Sequence, residues 1–92
     1  NADEAKELGV VLDVVEQERL MDACKELAGR MTRNGPVAIR QAKFAINEGM
    51  NTDLDTGIKI ESKAYELTID TEDRLEALAA FAEKREPEFK GK

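Results

Sequence analysis

The sequence predicts an all-α chain of four to five helices with one short extended segment near its N-terminus. Three observations carry that expectation. Apolar residues recur three and four apart through most of the chain, the period of a helix with one buried face. Stop and cap signals cut this pattern at short intervals, at Gly9, Asn34-Gly35-Pro36, Gly49 with Asn51-Thr52-Asp53, and Asp70-Thr71. With 92 residues the chain is one domain at most, and a chain this short buries only about 60–65% of its unfolded surface, so its core is thin.

Taken in order, Ala2 to Leu8 reads as a short helix ended by Gly9. Val10 to Val15 is rich in β-branched residues but lacks clean alternation, so it is either a strand covered on both faces or an extended linker. From about Gln17 to Arg33 a longer helix is indicated, with Leu20, Cys24, Leu27, Ala28 and Met31 on one stripe. Cys24 on that stripe reads as a small buried hydrophobe rather than a reactive thiol.

At Asn34-Gly35-Pro36 a glycine suited to a left-handed cap meets a proline preorganised for a helix start. The helix that follows runs to about Glu48. Its Ala38, Ala42 and Ala45 make a flat stripe that another helix could approach closely, and Lys43 reads as a solvated lysine. Gly49 ends it, and Asn51, Thr52 and Asp53 offer caps for a helix over about Leu54 to Ile69. That helix is apolar along two lines, Leu54, Ile58 and Tyr65 and then Ile60, Ala64 and Leu67, which suggests two neighbours. Glu61 and Glu66 are five apart, share no face, and read as surface charges. The last helix starts at Thr71 or Asp70, with Glu72 and Asp73 against its positive end; Lys84 and Arg85 are expected in its last turn, with Pro87 as the stop. Glu86 to Lys92 is expected to fray.

Composition removes several functions. The formal charge is −6 with 37% charged residues, which argues for a solvated acidic surface and against nucleic-acid binding. No run approaches the roughly 18 apolar residues of a membrane span, and one cysteine excludes an internal disulfide, in keeping with a reducing, aqueous compartment. The first residues carry no secretory pattern, and a start on Asn1 without Met looks cut from something longer. With no histidine, one serine at Ser62 and one cysteine, neither a Ser-His-Asp or Cys-His site nor an ordinary zinc site can be assembled, which leaves only carboxylates, lysines and backbone groups for chemistry.

The order of local motifs resembles the C-terminal end of the enoyl-CoA hydratase/isomerase (crotonase) family. The matching residues begin with Ala2, Asp3, Glu4, Ala5, Gly9, Val11, Val14 and Val15. Next come the string from Asn34 to Gly49 and Met50 to Gly57, and last Glu76, Ala80, Phe81, Glu83, Lys84, Arg85, Pro87, Phe89, Lys90 and Gly91. Ala77 departs from a position where the family usually has glycine. Within the family the likeness is greatest to the AU-rich-RNA-binding, methylglutaconyl-CoA hydratase type, through Ala45 to Met50, Asp53 to Gly57 and Asp73 to Glu76.

The resemblance implies a division into residues 1–15, a hinge helix and extended segment belonging to a catalytic core, and residues 16–92, a C-terminal helical domain that serves trimerisation. It implies an acyl-CoA thioester substrate, hydration of a 2-enoyl-CoA, and a homo-oligomer, a trimer or dimer of trimers in the full chain. It implies no cofactor apart from coenzyme A as part of the substrate. The compartment it implies is the cytoplasm, or the mitochondrial matrix in a eukaryote. Carried over by position, Tyr65 and Phe81 become aromatic neighbours of the coenzyme and acyl region, and Lys84 a neighbour of the nucleotide phosphate. Read bare, the two aromatics are core residues and Lys84 a partner of the helix dipole. The catalytic glutamates and oxyanion hole of the family match nothing in these residues, so the segment alone is expected to be inactive. The competing expectation is a free-standing helical interaction module. An RNA-binding member is weaker, because the chain is acidic.

Overall fold

The computed structural model describes all 92 residues, which form five α-helices and no strand: α1 (Ala2–Glu7), α2 (Leu20–Thr32), α3 (Pro36–Gly49), α4 (Leu54–Ile69) and α5 (Glu72–Glu83). They fall into two compact units, Asn1–Met31 and Thr32–Lys92.

In the first unit, Asn1 caps α1 by accepting from the Glu4 N–H while Glu4 reaches back to the terminal amine, so both ends of the first turn are satisfied. Gly9, at φ +70°, ends the helix as expected, and Val10 then donates to the Ala5 carbonyl at 2.8 Å. Residues 10–16 form bends and irregular extended chain, because a single segment has no strand to pair with. A 3-10 turn over Gln17–Arg19 leads into α2. Leu12 and Val15 line a groove with Leu20, Ala23, Cys24 and Leu27. Cys24 is exposed, which corrects the expectation of burial. A helix stripe is covered only if another layer lies on it, and α2 has just this thin segment within its unit.

The second unit is built on an α3–α4 hairpin, the one extensive helix–helix contact. The spacing that allows it is repeated on both helices: Ala38, Ala42, Ala45 and Gly49 on α3, and Gly57, Glu61, Ala64 and Thr68 on α4, line the grooves along the seam. Near the closed end the backbones come closest, for a Cβ placed on Gly57 would stand 3.6 Å from the Gly49 Cα and carbonyl oxygen. Asp53 caps α4, accepting from the Thr56 N–H at 3.0 Å. Of the second apolar line of α4, Ala64 is buried and Ile60 half-buried, while Leu67 is exposed. Glu66 pairs with Lys63 on the surface.

Thr71 caps α5, accepting from the Arg74 N–H at 3.2 Å. The helix ends at Glu83, before Pro87, through Lys84 in the left-handed conformation at φ 56°. Lys84 and Arg85 are therefore beyond the last turn, not in it, which corrects their reading as dipole partners. Nor does the tail fray. The Asp73 carboxylate, 5% exposed, accepts from the N–H groups of Lys90 at 2.6 Å and Gly91 at 2.8 Å, and the Asp73 N–H donates to the Lys92 carbonyl at 3.0 Å. Gly35 is the N-cap of α3 with φ −59°, so it does not make the left-handed turn expected of it. A Cβ there would just touch Asp73 and Phe89, each at 3.8 Å. The Asn34-Gly35-Pro36 corner, the start of α5 and the tail thus meet at one point.

Candidate functional site

The aromatic and cationic residues singled out from the sequence occupy two places. Tyr65 stands on α4, 59% exposed, and lines two grooves. One, of about 260 Å³, follows the seam past Ala38, Ala42, Ala45, Ala64 and Thr68. The other, of about 240 Å³, lies at the corner with Gly35, Val37, Ala77 and Phe89. Both are smaller than the roughly 300–1,000 Å³ of small-molecule sites. Ala77 lines the corner groove.

Phe81 and Lys84 stand together at the other end of α5, where the Lys84 N–H donates to the Phe81 carbonyl at 3.3 Å. Phe81 is 87% exposed, so it is not the core residue its spacing alone suggests. Neither it nor Lys84 contributes to the two grooves at Tyr65.

The turn after Lys84 holds a polar cluster that sequence spacing did not reveal. Arg85 folds back across nine residues and grips both carboxylate oxygens of Glu76, at 2.6 and 3.1 Å, while its Nε meets Glu83 at 2.6 Å. Glu76 also accepts from the Glu88 N–H at 2.8 Å. The Arg85 hydrogen bonds, and after them the Glu88 N–H, hold the Glu76 carboxyl down to about 2, and the two carboxylates raise Arg85 further above its already high value. In the sequence the pair is a glutamate and an arginine nine residues apart, a separation that fits no helical side-chain pairing. Away from this turn, Lys6 and Asp13 pair at 2.6 Å on the exposed surface, raising the lysine and lowering the aspartate. No group of acidic, cysteine or histidine side chains is placed to hold a metal ion.

The structure thus offers an exposed aromatic beside a cation, half-open grooves lined by small residues, and helices with little core of their own. The comparisons give it a family. The family profile described as enoyl-CoA hydratase/isomerase matches residues 1–92, and the chain belongs to that family. It is 57% identical over 90 residues to YngF of Bacillus subtilis, a protein named for the same hydratase/isomerase family; the match takes in 98% of this chain and 35% of that relative. Against the mitochondrial methylglutaconyl-CoA hydratase of Homo sapiens it is 50% identical over 92 residues, 96% of this chain and 27% of the relative. The crystal structure of an enoyl-CoA hydratase from Bacillus anthracis superposes with a TM-score of 0.96 at 49% identity, over 99% of this chain and 35% of that one. The chain thus spans about a third of the length of the relatives it matches. The likeness to the methylglutaconyl-CoA hydratase type, read from three short motifs, agrees with these matches.

Proposed function

We propose that these helices are the C-terminal part of an enoyl-CoA hydratase, where they complete the coenzyme A pocket and make contacts between subunits. The observation that carries this reading is the uncovered apolar surface. Among apolar side chains only Ala64 and Ala80 are buried, while Ile46, Met50, Leu54 and Ile58 on the hairpin and Leu75, Leu78 and Phe81 on α5 are all at least half exposed. Contiguous apolar faces of this extent mark surfaces that another body covers. The rest of the same polypeptide and neighbouring subunits are the bodies that family membership supplies.

In this reading the substrate is a 2-enoyl-CoA thioester. Water adds across its double bond, hydroxyl to C3 and proton to C2, and charge on the thioester oxygen is stabilised by an oxyanion hole in the preceding part of the parent chain. The residues here contribute binding: Tyr65 and Phe81 offer apolar faces to the coenzyme and acyl region, and the Lys84 ammonium offers a partner to a phosphate. The coenzyme enters as part of the substrate, and the parent chain requires no separate cofactor. No helix is long and apolar enough to cross a membrane. Relatives include a Bacillus subtilis protein and mitochondrial hydratases, which supports the cytoplasm of a bacterium or a mitochondrial matrix.

The test expresses residues 1–92 alone and within the reading frame that contains them, and follows the loss of enoyl absorbance of crotonyl-CoA with light scattering for mass. The longer chain is expected to turn over as a homo-oligomer, and the 92 residues alone to be inactive and self-associating. A stable, monodisperse monomer of the 92 residues would defeat this reading and favour an independent interaction module.

A further inference from the structure

Lys84 is the only residue other than glycine at positive φ. The left-handed conformation is ordinary for glycine and disfavoured for a side chain with a Cβ, so a lysine there needs surroundings that hold it. The surroundings are on both sides of it. The Lys84 N–H donates back to the last turn of α5, the Arg85 N–H donates to the Ala80 carbonyl at 3.0 Å, and the Arg85 side chain is fixed to Glu76 by a two-pronged pair. Glu76 then catches the Glu88 N–H, so one carboxylate fastens the chain on the far side of the reversal as well.

The charges divide in a way that suits a binding turn. Glu76 and Glu83 are both engaged by Arg85, while Lys84 makes no ion pair with any side chain of this chain. Glu83, next to it in sequence, and Glu76 across the turn are thus occupied by another cation, while the Glu86 side chain pairs with neither Arg85 nor Lys84. Its ammonium is left to an anion from outside. Were the reversal merely structural, glycine would serve it better.

We propose that Glu76, through Arg85, is a positioning residue that holds the left-handed turn so that Lys84 presents its ammonium to the phosphate-bearing end of the thioester substrate. This rests on the reading of Lys84 as a coenzyme contact, and the experiment separates the two. It uses the full-length hydratase containing these residues and two substrates, crotonyl-CoA and crotonyl-pantetheine, the second of which has no nucleotide phosphates. Lys84→Gly keeps the turn and removes the ammonium. Glu76→Gln keeps the shape and weakens the grip.

Each variant is expected to raise KM for crotonyl-CoA about three- to tenfold with kcat within about twofold, and to leave KM for crotonyl-pantetheine unchanged. The double variant is expected to be no worse than Lys84→Gly alone, because Glu76 acts only through that lysine. Arg85→Lys, which keeps the charge but loses the fork, should give the same pattern and carries the test if Glu76→Gln does not fold. Equal losses on both thioesters, or effects that add in the double variant, would overturn the positioning role while leaving Lys84 as a contact. An unchanged KM for crotonyl-CoA in Lys84→Gly would overturn the coenzyme reading itself.

Discussion

The α3–α4 hairpin and the corner where α5 meets the tail solve the same problem, holding one piece of backbone on another, by opposite means. The hairpin uses the absence of side chains: Gly49, Gly57 and a row of alanines let two helices approach until their backbones nearly touch. The corner uses carboxylates, with Asp73 and Glu76 on α5 taking five N–H or guanidinium bonds from the tail and Arg85, besides the main-chain bond of Asp73 to Lys92. Small residues give contact without direction, whereas charge-assisted hydrogen bonds fix both position and orientation. The second unit therefore leaves apolar side chains exposed while it fastens its own end with polar groups.

The largest effect is expected at the hairpin. Gly57→Leu must place γ and δ atoms where the Gly49 backbone stands, and overpacking of this kind should cost about 2–3 kcal/mol, read as a lower thermal midpoint. Gly57→Ala is the control that sharpens it. Its Cβ would sit in ordinary contact at 3.6 Å, and a better helix former should then stabilise the hairpin by about 0.5–1 kcal/mol. Destabilisation by alanine as well would show that the backbones are closer than a methyl allows.

At the corner, Asp73→Ala leaves the Lys90 and Gly91 N–H groups without their acceptor, and should cost about 2 kcal/mol. Amide hydrogen exchange would report it first. Those two amides should lose protection while the α3–α4 amides keep theirs. Uniform loss across both regions would mean that the corner and the hairpin unfold as one unit.

The smallest effect is local and depends on pH. The Glu76 carboxyl is depressed to about 2 in the folded chain, so the contribution of its bonds is fully present above the ordinary glutamate range near 4.5 and is lost as pH falls through about 2. Protection of the Glu88 amide should fall in that window, and Glu76→Gln should remove the pH dependence. The hairpin seam contains no ion pair of this kind; its acid-sensitive group is the Asp53 cap of α4, whose carboxyl is lowered by the N–H and hydroxyl of Thr56.

Most of the local structure was readable before the fold. Asp53 and Thr71 as caps, Gly9 as a stop, and α4 over Leu54–Ile69 all follow from short-range rules in which a side chain or its absence acts on its own turn. What escaped was whatever depended on distant partners. Gly35, expected as a left-handed cap, is instead an ordinary N-cap at φ −59° standing beside Asp73 and Phe89. Cys24 was read as buried because a stripe on a helix does not say whether a second layer covers it. The tail was read as loose because its acceptors lie seventeen and eighteen residues back.

The candidate site divides along the same line. Tyr65, Phe81 and Lys84 were legible as an aromatic pair and a cation through a family resemblance. Their separation into a groove on α4 and an exposed turn after α5 was not, nor was the Arg85 grip on Glu76 that shapes that turn. By itself the sequence determined the helices, their caps and the family, because each rests on neighbours within a turn or on residue order. Only the tertiary structure decided which faces stay uncovered, that the tail is fastened, and that Lys84 is left-handed with its ammonium unpaired. Those outcomes depend on which groups meet across many residues, and a linear pattern does not hold that information.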